Sequence, residues 1–159
     1  MLKLKGLFNV EHIRDGKTLG KYEFNNGIVD VGANLILDVM FHDEAAVATW
    51  YIGLIDNAGF TALANADTMA AHAGWAELQA YTEATRPEWT EGVAATRSIT
   101  NAVTVDFTID DTKTVKGIFI TSSNVKGGAA GTLWSTAAFT SVVNVVAADV
   151  LKITYTLSC

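Results

Sequence analysis

The chain has 159 residues, half of them apolar and only 18% charged, with a formal net charge of −6. That length and composition supply enough core material for one domain without cross-links, which excludes disorder as the main state. The acidic balance excludes a nucleic-acid binder working by broad phosphate neutralisation, and a lone cysteine at the last position, Cys159, excludes an internal disulfide framework or a cysteine-built metal site.

The chain begins Met1-Leu-Lys-Leu-Lys-Gly-Leu-Phe-Asn-Val10, with lysines between single apolar residues and no apolar run. This does not read as a secretory signal, and nowhere is there an apolar stretch long enough to span a membrane. The expectation is synthesis and folding in a cytoplasm, with no membrane partner and no nucleic-acid partner. Arg14-Asp15-Gly16-Lys17 is a turn signal, and Tyr22 and Phe24 share one face of a second extended run. Residues 1–24 are therefore expected to form a hairpin or an N-terminal arm.

Val31, Leu35 and Val39 recur at four, and Ile36 and Met40 widen the stripe, so a helix is expected over 30–42 with Asp30 as its cap. Trp50–Asp56 is a short β-rich run, apolar enough up to Ile55 to be a core strand. Residues 57–92 lack a period but contain three aromatic anchors, Trp75, Tyr81 and Trp89; a long ordered loop is expected, with Asp67–Gly74 as one capped helical turn. Beyond Val93 the chain reads as strands and turns: 103–109, 115–121, 132–135, 142–146 and 150–157, with a glycine loop at 126–131. The predicted fold is mainly β, an antiparallel, jelly-roll-like sandwich with one short helix inserted near the N-terminus, the sandwich domain spanning 25–159.

Chemistry is sparsely signalled. His42 follows Asp38 by four on the helix, which suits a surface hydrogen bond. His72 lies five residues from both Asp67 and Glu77, a spacing that fits no metal motif. Lys126-Gly127-Gly128 lacks the Gly-Lys-Ser/Thr tail of a phosphate loop, and no nucleophile elbow occurs. The sequence thus predicts no enzyme, no catalytic residue, no metal site and no cofactor.

Charge is segregated. Residues 1–22 hold five bases against two acids, whereas Glu23–Thr85 hold nine acids and no Lys or Arg. The acidic stretch reads as a solvated face, or as a surface answered by the basic segment of the same or a neighbouring subunit. Lys3 and Lys5, with Trp75, Tyr81 and Trp89, are the candidate interface residues. The aromatics suit a protein contact or a sugar-binding face, and for Trp75 and Trp89 a place in the core is an equal alternative.

Trp50-Tyr-Ile-Gly-Leu-Ile-Asp56, Asp67-Thr-Met-Ala70, His72, Gly74-Trp75, Glu77, Tyr81, Arg86-Pro87 and Trp89 resemble a pattern recurring among structural proteins of tailed bacteriophages. Val115–Thr121, Lys126-Gly-Gly, Gly131-Thr-Leu-Trp134 and Asp149–Thr156 are similar to it too. The resemblance covers nearly all the chain after Asn26. It implies a virion protein of the capsid decoration (cement) type, on the outer surface of the capsid, or a tail accessory. The partner implied is the major capsid protein of a phage head, bound by a symmetric homo-oligomer, with a trimer favoured. The alternative is a tail or fibre-associated sandwich holding a host-surface glycan through Trp75, Tyr81 and Trp89.

Overall fold

The structure, a computed structural model, describes residues 3–159; Met1 and Leu2, where the expected hairpin begins, lie outside them. Strands β1 (Lys5–Arg14) and β2 (Lys17–Asn25) form the hairpin. Its two-residue turn places Asp15 at φ 49° and Gly16 at φ 73°. Both angles are left-handed, as a turn matched to strand twist requires, and Asp and Gly tolerate them best. Of the two readings for residues 1–24, the hairpin is the one seen. β1 also pairs along its length with the last strand, β11 (Val150–Ser158), in register from Lys5↔Ser158 to Ile13↔Val150. Phe8 and Val10 thereby enter the same core as the rest of the chain.

Next in chain order come β3 (Gly27–Ile28), α1 (Asp30–Phe41) and β4 (Trp50–Asp56). The short strands β5 (Glu77–Leu78), β6 (Glu88–Trp89), β7 (Ser98–Thr100) and β8 (Val105–Thr108) follow, then the long β9 (Lys113–Thr121) and β10 (Leu133–Val145). One sheet runs β2-β1-β11, with β7 and β8 on different stretches of β11; the other runs β3-β10-β9-β4, with β5 and β6 on β4. All pairs are antiparallel and the architecture is a β-sandwich with one short helix, as the alternating patterns predict.

Three local expectations are corrected. The helix is capped by Val29 without a side-chain bond; Asp30 is its first residue and donates its N–H to the Asn65 carbonyl at 2.8 Å. The Asp30 carboxylate still lies in the first turn, where the helix dipole favours it. Residues 67–74 form no helical turn: Thr68 and Ala71 exchange backbone bonds in a tight reversal, and Asp67 binds Trp75 and the Ala64 N–H instead. The runs 132–135 and 142–146 are a single strand, β10, whose pairing with β9 shifts between Ala138 and Val143. That irregularity breaks the alternation on which the strand boundaries were read.

The 57–92 segment explains why strands of the second sheet read as continuously apolar. Its β5 and β6 cover the free edge of β4, which would otherwise invite pairing with another chain. Met69 and Trp75 lie over the sheet's outer face with Val29, Ile55, Phe119 and Leu133, a second small core outside the sandwich. Ile52–Ile55 and Ile118–Thr121 are consequently buried on both faces.

Candidate interaction surface

The aromatic candidates are interior. Trp75 is 4% exposed, Tyr81 1% and Trp89 6%. Trp75 donates its indole N–H to Asp67 at 3.0 Å and is stacked on by His72 at 3.9 Å between ring centres. Tyr81 meets Phe107 edge-on, and Trp89 meets Tyr155 edge-on while donating to the Asn101 side chain at 2.7 Å. As folded, none of the three offers its ring to a partner or a sugar. They are core residues because the irregular loop that carries them is itself folded onto the sheets. Lys3 and Lys5, in contrast, are exposed.

The polar residues singled out from sequence also find internal partners. Asp67, His72 and Glu77 diverge: His72 Nδ1 lies 3.0 Å from the Trp75 carbonyl, and Glu77 turns to Arg86. Among the described residues no three His, Cys, Asp or Glu converge as a metal site would require. His42 lies 3.6 Å from Asp38 on an exposed face, the expected surface pair.

Two buried ionic clusters were not foreseen, because each is completed by groups remote in the chain, 37 or more residues away. In the first, Arg86 (1% exposed) gives Glu77 two parallel bonds of 2.8 Å and donates to the carbonyls of Ser123 and Gly128, both at 2.9 Å. Glu77 also accepts from the Gly127 N–H at 2.6 Å, and Lys126 caps the Tyr81 carbonyl at 2.7 Å with its ammonium over the Tyr81 ring. The glycine loop is thus a socket for the long excursion. In the second, buried Asp149 receives Arg14 through two bonds of 2.7 and 2.8 Å, His12 at 2.7 Å and the Val146 N–H at 2.9 Å. The Arg14 guanidinium, followed by Val146 and His12, holds the Asp149 carboxyl well below the usual carboxylate range against the opposing effect of burial. Burial, and secondarily the Glu77 charge, pushes the Tyr81 hydroxyl upward. Both clusters tie loops to strands, and neither sets a nucleophile beside a base.

The surface the sequence reading missed is α1. Gly32 is its only buried residue, because it approaches the Trp134 carbonyl so closely that no Cβ would fit. Leu35, Ile36 and Val39 lean over a groove of about 270 Å³ floored by Trp50, Trp89, Ile120, Trp134 and Leu157. Leu37 (56% exposed), Met40 (66%) and Phe41 (83%) face outward. Leu37 and Phe41 fall on the far side of the helix from the Val31–Leu35–Val39 stripe, so the helix carries a second apolar side, parted from the first on one flank by Asp30, Asn34 and Asp38, which a helix covered on one side does not need. That off-stripe pair was the available signal.

No protein-family model matches this chain, and no curated protein matches it either. Function must therefore be argued from the surface itself.

Proposed function

We propose that the protein is a structural virion component of the capsid decoration type, which binds the assembled head of a tailed phage from outside and stabilises it as a homo-oligomer. The reading rests on one observation: Leu37, Met40 and Phe41 stand exposed on a helix docked to a sandwich whose loops are pinned by buried ion pairs. A rigid body with an apolar contact face suits adhesion, since little ordering entropy remains to oppose binding. The resemblance of the 50–89 and 115–156 segments to phage structural proteins supplies the partner, the major capsid protein. The mechanism is mass action: a protein that binds only the assembled shell stabilises each site by RT ln(1 + [L]/Kd), about 2.7 kcal/mol at a hundredfold excess over Kd.

The test is co-sedimentation of the purified protein with expanded heads of the same phage, with and without Leu37→Ser. Saturable binding at a fixed ratio to the capsid protein, weakened by the substitution, is expected. Indifference to heads, with labelled protein found on tails, would overturn the assignment.

A further inference from the structure

Two exposed patches of opposite charge lie on this one chain. The first is the C-terminal end of α1. A helix C-terminus carries a partial negative charge that a cation in the last turn ordinarily answers. Here the last turn holds no base, and Asp38, Asp43 and Glu44 crowd the same end beside Met40 and Phe41. No Lys or Arg occurs within twenty residues before Asp43 or forty after it.

The second patch is built by the opposite ends of the chain. Lys5 pairs with Ser158, and Ser158 pairs in turn with Ser98, so Lys5 and the neighbouring Arg97 flank the same stretch of β11. Leu4, Ile99 and Leu157 line a shallow apolar groove beneath them. Lys3, Lys5 and Arg97 are exposed, and among the described residues none of them forms an ion pair. Arg97 is displayed at some expense to the backbone. Thr96 and Arg97 occupy the two central positions of a tight turn at φ 49° and 64°, a conformation that disfavours a β-branched residue in particular.

We infer that these patches are the two halves of one interface between copies of this chain: the apolar, acidic end of α1 in one protomer seats on the Leu4–Ile99–Leu157 groove of the next, where Lys3, Lys5 and Arg97 meet Asp38, Asp43 and Glu44. The cations supply what the helix end lacks within its own chain. Leu157 lines both the groove under α1 and the groove beside Arg97, so the two grooves share a wall. Unlike patches meeting head to tail generate a closed ring where the rotation permits. The inference rests on the adhesive reading only in treating the exposed α1 residues as contact surface.

The experiment is molar mass by sedimentation velocity and light scattering on the full chain. Wild type should be a discrete oligomer. Asp38→Lys with Glu44→Lys improves the charge at the helix end, so the fold should hold while like charges face each other across the interface. The oligomer should dissociate with a roughly 100-fold weaker constant. Lys5→Glu with Arg97→Glu should do the same, and all four substitutions together, which swap the charges, should restore assembly. A monomeric wild type, or either reversed pair leaving the mass unchanged, would overturn the inference, as would a four-fold variant that stays dissociated. Head co-sedimentation separates this from the functional reading: a monomer that decorates heads refutes only the interface, and an oligomer that ignores heads refutes only the decoration role.

Discussion

The buried pair Glu77–Arg86 offers the sharpest test of how the 57–92 excursion is held. Glu77→Gln preserves shape and one acceptor oxygen but leaves a fully buried guanidinium without a counter-charge. Arg86 makes four bonds, two to Glu77 and two to loop carbonyls, so it cannot swing to solvent without releasing Ser123 and Gly128 as well. Breaking a buried pair on one side costs about 3–5 kcal/mol. In a chain of this size each kcal/mol lowers the melting temperature by about 2–4 °C, so a fall of about 10 °C is expected by circular dichroism. Proteolysis should also begin within 57–92. The double variant Glu77→Leu/Arg86→Met removes both charges and should recover most of the loss, leaving chiefly the Gly127 N–H and two carbonyls unpaired. If Glu77→Gln melted within about 2 °C of wild type, the pair would not be what anchors the loop, and the reasoning would fail.

Asp149→Asn should lower stability by about 2–3 kcal/mol at pH 7 through weakened charge-assisted bonds. Because the folded carboxyl titrates well below its unfolded value of about 3.9, the Asp149 contribution is complete above that pH and shrinks steadily as pH falls beneath it, so the gap between the urea midpoints of wild type and variant should narrow progressively on acidification below about pH 4. Tyr81 and Tyr155 are both shifted upward by burial, so the stability they give is present below about pH 10 and lost as pH rises past it. Tyr81→Phe should flatten that alkaline loss in thermal melts while changing neutral stability by less than about 1 kcal/mol, since the hydroxyl bond to Glu77 is long at 3.5 Å. Gly32→Ala gains about 1 kcal/mol of helix propensity yet drives a methyl into the Trp134 carbonyl. Overpacking of about 1–3 kcal/mol should win, visible as a lower melting temperature and altered tryptophan fluorescence as α1 lifts from its groove.

Where an element is defined by local periodicity, the amino-acid order was sufficient to find it. Val105 and Phe107 alternate cleanly, Val31–Leu35–Val39 trace one helix face, and Asp15-Gly16 carries the dihedrals of its turn in its composition. The sandwich class followed from these. What escaped detection depends on partners remote in the chain. Trp75, Tyr81 and Trp89 looked free because their segment has no period; their burial is decided by Asp67, Phe107 and Tyr155, the last two from other strands. Arg86 was the first base after a long acidic stretch, and nothing local marks it as the centre of a four-bond socket. The α1 surface was partly legible: Leu37 and Phe41 off the expected stripe announce a second apolar side, but only the fold shows that, among the described residues, no strand covers it.

The distribution of polar and apolar groups strengthens the case for contact. This chain encloses Arg86, Asp149 and His12, while Phe41 is 83% exposed. The charges of Arg86 and Asp149 are fully paired, so their burial stiffens loops at little net gain in stability. The exposed side chains have no such compensation in a single copy: apolar surface left in water forgoes about 25 cal/mol for each Å² that could be covered. The helix α1, covered on its Leu35–Val39 side, forgoes that stabilisation at Leu37, Met40 and Phe41. The arrangement becomes favourable once the outer face is met by another protein surface, and the carboxylates at its end, Asp38 beside only His42 and Asp43 and Glu44 in no ion pair among the described residues, favour a surface that is basic as well as apolar. The Leu4–Ile99–Leu157 groove beneath Lys5 and Arg97 satisfies both conditions on the same molecule.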